Sequence, residues 1–238
     1  MSDTKPELPR DMHEQAGEYL RLRKERGAHT FMFDHGAVEI ELEVSANTHD
    51  PSLGTSSQVL ARAVDIPEGS YICDMCAGTG VQGILALYAG ATRVDFGDKN
   101  PYAVADMKRN LAKHTFGADR ARVFESDVFD QFPAETMPYD SVLLNSPFLF
   151  TEETVSPDDP NAPFVHSSFD PHYQLLQKFF GTVGDRLAEN GKIQTVLSQA
   201  ANTEEFGRIV TANGFAIQST KEDSLYPDHW FVHTIGRK

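Results

Sequence analysis

From Tyr71 onward, short apolar segments alternate with amphipathic stretches of ten to eighteen residues, and this rhythm constrains the chain more than any other feature. Strands separated by helix-length connections run parallel, because the connection must carry the chain back to the same end of the sheet. Strands are expected near 70–74, 92–97, 121–125, 139–144, 192–198, 214–219 and 230–236, and helices near 81–90, 101–115, 171–188 and 203–213. Only EDSLYPDH separates the last two strands, so they are expected to pair as an antiparallel hairpin. The expected class is α/β: a seven-stranded, mainly parallel sheet with an antiparallel C-terminal hairpin and helices on both faces. A length of 238 residues suits one such domain with a small appendage.

The appendage is expected at the N-terminus. Residues 11–26 read as an amphipathic helix with Met12, Ala16, Tyr19, Leu20 and Leu22 as its apolar set. In VEIELEV (38–44), Val38, Ile40, Leu42 and Val44 alternate with Glu39, Glu41 and Glu43, the pattern of a half-buried strand with one acidic, wet face. The turn-rich NTHDPSLGTSS (47–57) ends in hydroxyl side chains expected to cap a helix over QVLARAV. The expected division is an N-terminal cap over residues 1–50 and the main domain over 51–238.

The formal charge is −14, from 35 acidic and 21 basic residues. Nucleic-acid binding rests on neutralising phosphates with Lys and Arg, so the balance disfavours a polyanionic partner. The one dense basic run, RLRKER (21–26), is flanked by Glu14 and Glu18 and reads as a solvated helix face. No apolar run approaches the roughly 18 residues of a membrane span, and the polar start MSDTKPELPRDMHEQ has no secretion signal, so a cytoplasmic protein is expected. Cys73 and Cys76 lack a second ligand pair with which to close a tetrahedral site, and no metal is expected; they read as a strand residue and a turn residue.

The turn after the first strand of the βαβ series, CDMCAGTGVQG (73–83), contains Gly78-x-Gly80-x-x-Gly83. In such sheets ligands bind at the carboxyl ends of the strands, where glycines admit close backbone approach and helix N–H groups are free. The glycine spacing alone does not choose the ligand. Asp74 does discriminate: a carboxylate at the lip repels a pyrophosphate and attracts a cationic amino group. The run Asp74-Met-Cys-Ala-Gly78-Thr-Gly80 resembles the first motif of the class I S-adenosylmethionine-dependent methyltransferases, which are Rossmann-like. That resemblance implies S-adenosyl-L-methionine as cofactor, held by Asp74, Cys76, Ala77, Gly78 and Gly80. It also implies Asp98 with Lys99 at the second strand end, where a carboxylate accepts both ribose hydroxyls, and Asp127 with Val128 at the third, against the adenine.

After the fourth strand, Asn145-Ser146-Pro147-Phe148 resembles the Asn-Pro-Pro-Tyr/Phe motif of the "small domain" branch, which methylates nitrogen conjugated to a planar system. The resemblance covers about residues 50 to 200 and implies Asn145 and Ser146 as catalytic residues, Asn145 also bordering the cofactor. An amide nitrogen is a poor nucleophile, and the Asn145 side-chain oxygen and the residue 146 carbonyl could accept its two N–H hydrogens and aim its lone pair. Pro147 and Phe148 are expected to contact substrate, Phe148 by stacking. Ser146 departs from the motif, losing a fixed φ and adding a hydroxyl, which leaves the acceptor atom open.

Residues 149–172 form a long Pro-rich connection beside this motif and are expected to select the substrate, with His166 as its titratable member. His229, His233 and Trp230 are expected to be structural. The reading that follows is an N-methyltransferase acting on a small molecule or a protein side chain by direct in-line transfer, with nucleic acid disfavoured. A ribosomal RNA or release-factor methyltransferase is the alternative within the class. Outside it stand a nicotinamide-dependent oxidoreductase, favoured by the third glycine, and a non-catalytic nucleoside-binding protein.

Overall fold

The computed structural model describes residues 10–36, 38–117, 119–154, 156, 165–224 and 229–238. In chain order the elements are α1 (Arg10–Arg26), β1 (His29–His35), β2 (Val38–Val44), α2 (Thr55–Ala63), β3 (Tyr71–Met75), α3 (Val81–Tyr88), β4 (Arg93–Asp98), α4 (Pro101–Ala112), β5 (Ala121–Glu125) and β6 (Tyr139–Leu144). They continue with β7 (Leu149–Thr151), β8 (Phe169–Pro171), α5 (Gln174–Val183), a 3-10 turn (Gly184–Arg186), β9 (Leu187–Ser198), α6 (Thr203–Ala212), β10 (Phe215–Asp223) and β11 (Trp230–Arg237).

Seven strands form one sheet in the order β10-β11-β9-β6-β3-β4-β5. β9, β6, β3, β4 and β5 are parallel, whereas β11 is antiparallel to both β9 and β10, as the hairpin reading requires. The chain reverses direction across the sheet between β3 and β6, and there the strand ends open a crevice. One sheet face is covered by α5 and α6 through Leu176, Phe179, Phe180, Phe206 and Ile209, together with Val128, Phe129 and Phe132. The opposite face carries α3 and α4, with α2 over β9 and β11.

The N-terminal hairpin of β1 and β2 pairs antiparallel from His29↔Val44 to His35↔Val38. Ile40, Leu42 and Val44 are buried while Glu39 and Glu41 are exposed, so the alternation in VEIELEV is realised. Those residues and Phe33 join the same buried cluster as Ile72, Val81, Ile84 and Phe96, which seats the hairpin on α3 and α4. Backbone N–H groups of Glu43 and Ser45 donate to Asn110 Oδ1 (2.7 Å) and Asp106 Oδ2 (2.9 Å) of α4. In α1, Met12, Ala16 and Leu20 lie outside the described side chains.

Several boundaries differ from expectation for identifiable reasons. β1 was not expected, although Phe31 and Phe33 alternate with exposed Thr30, Met32 and Asp34. The helix expected over 171–188 runs only from Gln174 to Val183, since Pro171 belongs to β8 and the 3-10 turn Gly184–Arg186 ends it; β9 then begins at Leu187 rather than 192, with Glu189, Asn190 and Gly191 taken up by a register shift opposite Tyr139 and Ser141. The connection 149–172 is not structureless at its ends: β7 and β8 pair in parallel from Leu149↔Phe169 to Thr151↔Pro171. Residues 155 and 157–164 of that connection, and 225–228 of the hairpin tip, lie outside the described residues. Finally, Thr55, Ser56 and Ser57 do not cap α2. They lie within it, behind the N-cap Gly54, and no side-chain cap hydrogen bond forms.

Candidate functional site

A cavity of about 1150 Å³ opens over the carboxyl ends of β3, β4, β5 and β6. Its wall includes Asp74, Cys76, Ala77 and Gly78 after β3, Asp98 and Lys99 after β4, Asp127 and Val128 after β5, and Asn145 to Phe148 after β6, with His166 opposite. Of the expected site residues only Gly80 is absent from this wall. Gly80 is the N-cap of α3, at φ +83°, and a Cβ there would meet Met107 Cγ at 3.2 Å. Its role is to turn the chain into the helix against packed side chains.

The turn itself is built for backbone exposure. Cys76 and Gly78 both adopt positive φ (59° and 56°), so successive N–H groups change direction within one loop. Gly78 N–H donates to Asp98 Oδ2 at 2.9 Å, and Asn100 N–H to Asp98 Oδ1 at 2.8 Å, which fixes the carboxylate at the end of β4. Asn100 also caps α4 by accepting from Tyr102 N–H at 3.0 Å, and its Nδ2 donates to the Asn47 carbonyl at 2.6 Å, tying the loop after β2 to the strand ends.

Asp74 is 1% exposed. One of its oxygens accepts from Gly83 N–H at 2.8 Å, and the other, Oδ1, is buried without a partner. Burial, assisted by the nearby Asp98 charge, pushes its carboxyl up to about 7. A half-satisfied carboxylate of this kind is destabilised when ionised and is relieved by a cation or donor. Gly83 has a different origin: a Cβ there would stand 2.2 Å from Phe96 Cε1, so the third glycine lets α3 approach β4.

Asp127 lies half-exposed at the rim, 3.0 Å from Lys178 Nζ and 3.8 Å from Lys99 Nζ. Val128 takes φ +56° and is buried. On the other side of the cavity, Asn145 Nδ2 donates to Ser57 Oγ at 3.1 Å, which leaves Oδ1 as the amide's acceptor. Ser146 is 3% exposed and its hydroxyl has no partner. Phe148 packs edge-on to Trp230 (5.8 Å, 88°), and its carbonyl accepts from Tyr173 OH at 2.8 Å. Trp230 is thus both core, as expected, and part of the cavity wall. His166 is exposed, with its imidazole held below the usual range by desolvation and then by Lys99. His233 and His229 serve the hairpin, through Thr220 in one case and Ser224 and Glu222 in the other.

Residues that the sequence did not single out complete the wall. Asp170, 3% exposed, accepts from Leu175 and Leu176 N–H and so anchors α5 beside the cavity; it stands three residues before the N-cap Tyr173, outside the position where a capping residue is read from sequence. Lys178 had no signal, because its partners Asp127 and Asp130 are distant in sequence. Tyr19 and His49 contribute from the N-terminal cap, hydrogen-bonded at 3.0 Å. Arg23, fully buried, fixes the loop carrying His49 through the Thr48 carbonyl (2.8 Å) and Asp50 (3.4 Å).

Comparison with known proteins accords with this geometry. Residues 48–156 match the family model described as the methyltransferase small domain. The fold is shared with the ribosomal protein L11 methylase of Lactobacillus delbrueckii subsp. bulgaricus, at TM-score 0.55 and 14% identity over 76% of each chain. It is shared also with a T. thermophilus 16S rRNA N2 methyltransferase solved with AdoMet and guanosine, at TM-score 0.62 and 15% identity, covering 89% of this chain and 50% of that one. In the segment 48–156 and in its fold, the chain is similar to S-adenosylmethionine-dependent methyltransferases. Among curated relatives, a Methanocaldococcus jannaschii protein provisionally named a protein N5-glutamine methyltransferase is 25% identical over 182 residues, 75% of this chain and 86% of its own length.

Proposed function

We propose that the protein methylates a neutral, conjugated nitrogen, with the side-chain amide of a protein or the amide of a small molecule as the leading acceptor. The observation that carries this reading is the Asn145 amide: its donor is engaged by Ser57, so its oxygen is free to accept an N–H from the acceptor. The residue 146 carbonyl would accept the second N–H. Phe148 and Trp230 would supply an apolar wall for the planar group.

On this reading Asp98 holds the ribose hydroxyls, with Lys99 beside it. Asp127 and Val128 border the adenine, and Asp74 Oδ1 meets the amino group of the methionine part. Cys76, Ala77 and Gly78 give their backbone to the cofactor, and Gly80 supports the loop from behind. Bound there, S-adenosyl-L-methionine would supply a methyl carbon on a cationic sulfur, which would leave with the carbon–sulfur electron pair as neutral S-adenosylhomocysteine while the acceptor nitrogen gave up a proton. Proximity and lone-pair alignment carry the catalysis. His166, less basic than an ordinary histidine, is a candidate contact for the acceptor or its departing proton. The cap over residues 1–50 and the 149–172 connection would close over the acceptor.

The electrostatics favour an uncharged acceptor over RNA. The only described cavity-lining Lys or Arg side chains are Lys99 and Lys178, and both are paired with Asp127. The name of the Methanocaldococcus jannaschii relative points the same way. The test is methyl transfer from labelled cofactor to glutamine-containing peptides and small primary amides, set against total RNA. Labelling of an amide that disappears in Asn145→Ala supports the reading, and labelling confined to RNA overturns it.

A further inference from the structure

We infer that Ser57 is a positioning residue that fixes the orientation of the Asn145 amide, and that the link continues through Gln82 to the helix that follows the glycine turn. The inference rests on the reading of Asn145 as the group that holds the acceptor nitrogen.

A side-chain amide presents an oxygen at one end and an NH2 at the other, with nearly the same shape. Turned one way, Asn145 offers an acceptor to the incoming N–H; turned the other way, it offers donors that oppose it. A hydroxyl can pair with either end of an amide, and here Ser57 Oγ accepts from Asn145 Nδ2 at 3.1 Å, which turns the amide oxygen the other way. Ser57 is 2% exposed, so water does not compete for its hydroxyl. Its own position is held from α3: Gln82, 3% exposed, donates from Nε2 to the Ser57 carbonyl at 2.7 Å. Gln82 lies two residues after Gly80, so one chain of two hydrogen bonds runs from the cofactor loop's helix through α2 to the end of β6.

Among the described hydrogen bonds, the Ser57 hydroxyl has the Asn145 amide as its one partner. The N-cap of α2 is Gly54, which has no side chain, and Ser57 stands three residues further on, inside the helix. Ser56 and Ser57 both face the cavity region, but the Asn145 contact belongs to Ser57 alone among the described hydrogen bonds.

The test reads the amide directly. In full-length protein labelled with 15N-asparagine, the Asn145 side-chain pair is assigned by its disappearance in Asn145→Ala. The parent should show one of the two protons shifted downfield and protected from exchange with water. In Ser57→Ala that proton should move upfield and exchange at least tenfold faster, and Ser57→Thr, which keeps the oxygen, should restore the parent pattern. S-adenosylhomocysteine affinity should stay within twofold in both Ser57 variants. On an amide that the parent methylates, Ser57→Ala should lower kcat at least tenfold with KM for the cofactor unchanged, and Ser57→Thr should recover most of it. A parent spectrum with no protected Asn145 proton would overturn the inference even if Ser57→Ala failed to fold. So would a Ser57→Ala enzyme with parental kcat while Asn145→Ala is inactive. Parental turnover in Asn145→Ala would instead sink the reading of Asn145 on which the inference rests.

Discussion

Replacing Gly83 with alanine separates the two explanations of the glycine-rich turn. The new Cβ would lie 2.2, 2.6 and 2.9 Å from Cε1, Cζ and Cδ1 of Phe96, a ring that is 0% exposed in the middle of β4. Such contacts cannot be relieved by a small rotation, so α3 or the ring must shift, and overpacking of this kind costs about 1–3 kcal/mol. Against it stands the helix preference for Ala over Gly, about 0.8–1 kcal/mol. A 2.2 Å approach to a buried ring belongs at the upper end of that cost, so the clash wins and the expected net loss is about 2 kcal/mol, or roughly 4–8 °C in Tm at this chain length. Urea unfolding of Gly83→Ala, Phe96→Leu and the double variant is the assay. The double variant should be more stable than the sum of the two losses predicts, because Leu vacates the space that the new methyl needs. A Gly83→Ala protein as stable as the parent but unable to bind S-adenosylhomocysteine would refute the argument, and would mean that this glycine serves the ligand rather than the helix–sheet contact.

The charged residues give further expectations. Asp74→Asn should weaken S-adenosylhomocysteine binding at pH 8 and flatten its pH dependence. With the folded-state carboxyl near 7, above its ordinary value of 3.8, ionisation in the empty protein lowers stability as pH rises from about 4 to 7. A cofactor amino group favours the ionised form, so binding should strengthen as pH rises through 7 and release a proton, countable by calorimetry in buffers of different ionisation enthalpy. Asn145→Ala should leave cofactor affinity within about twofold and lower methyl transfer by a factor on the order of a hundred, as befits a residue that borders the cofactor but makes its decisive contact to the acceptor. Lys178→Met should loosen α5 from the rim, seen as faster amide exchange over 174–183.

The sheet was readable because its strands are buried apolar runs with helix-length spacers, and the crevice because Asp74, Asp98 and Asp127 each lie within two residues of a strand's carboxyl end. Short elements were not readable. β7 and β8 have three residues each and include Pro171, so no periodicity could mark them. The expectation that the hydroxyl side chains of 55–57 cap a helix over QVLARAV failed because the helix begins at Thr55, behind Gly54, and the partner of Ser57 lies 88 residues away, where local propensity cannot reveal it. Lys178 was invisible for the same reason. The third glycine, which in sequence favoured a dinucleotide, is accounted for by the ring of Phe96 beneath it.

The most direct test of the account is a calorimetric titration of the full chain with S-adenosylhomocysteine, repeated on Asp98→Ala. The parent should bind with micromolar affinity. The variant should lose about 1.5–3 kcal/mol, roughly ten- to more than a hundredfold, because a charge-assisted bidentate contact to the ribose is removed. A parent that does not bind, or a variant that binds as the parent does, would contradict the location of the cofactor over the ends of β3 and β4.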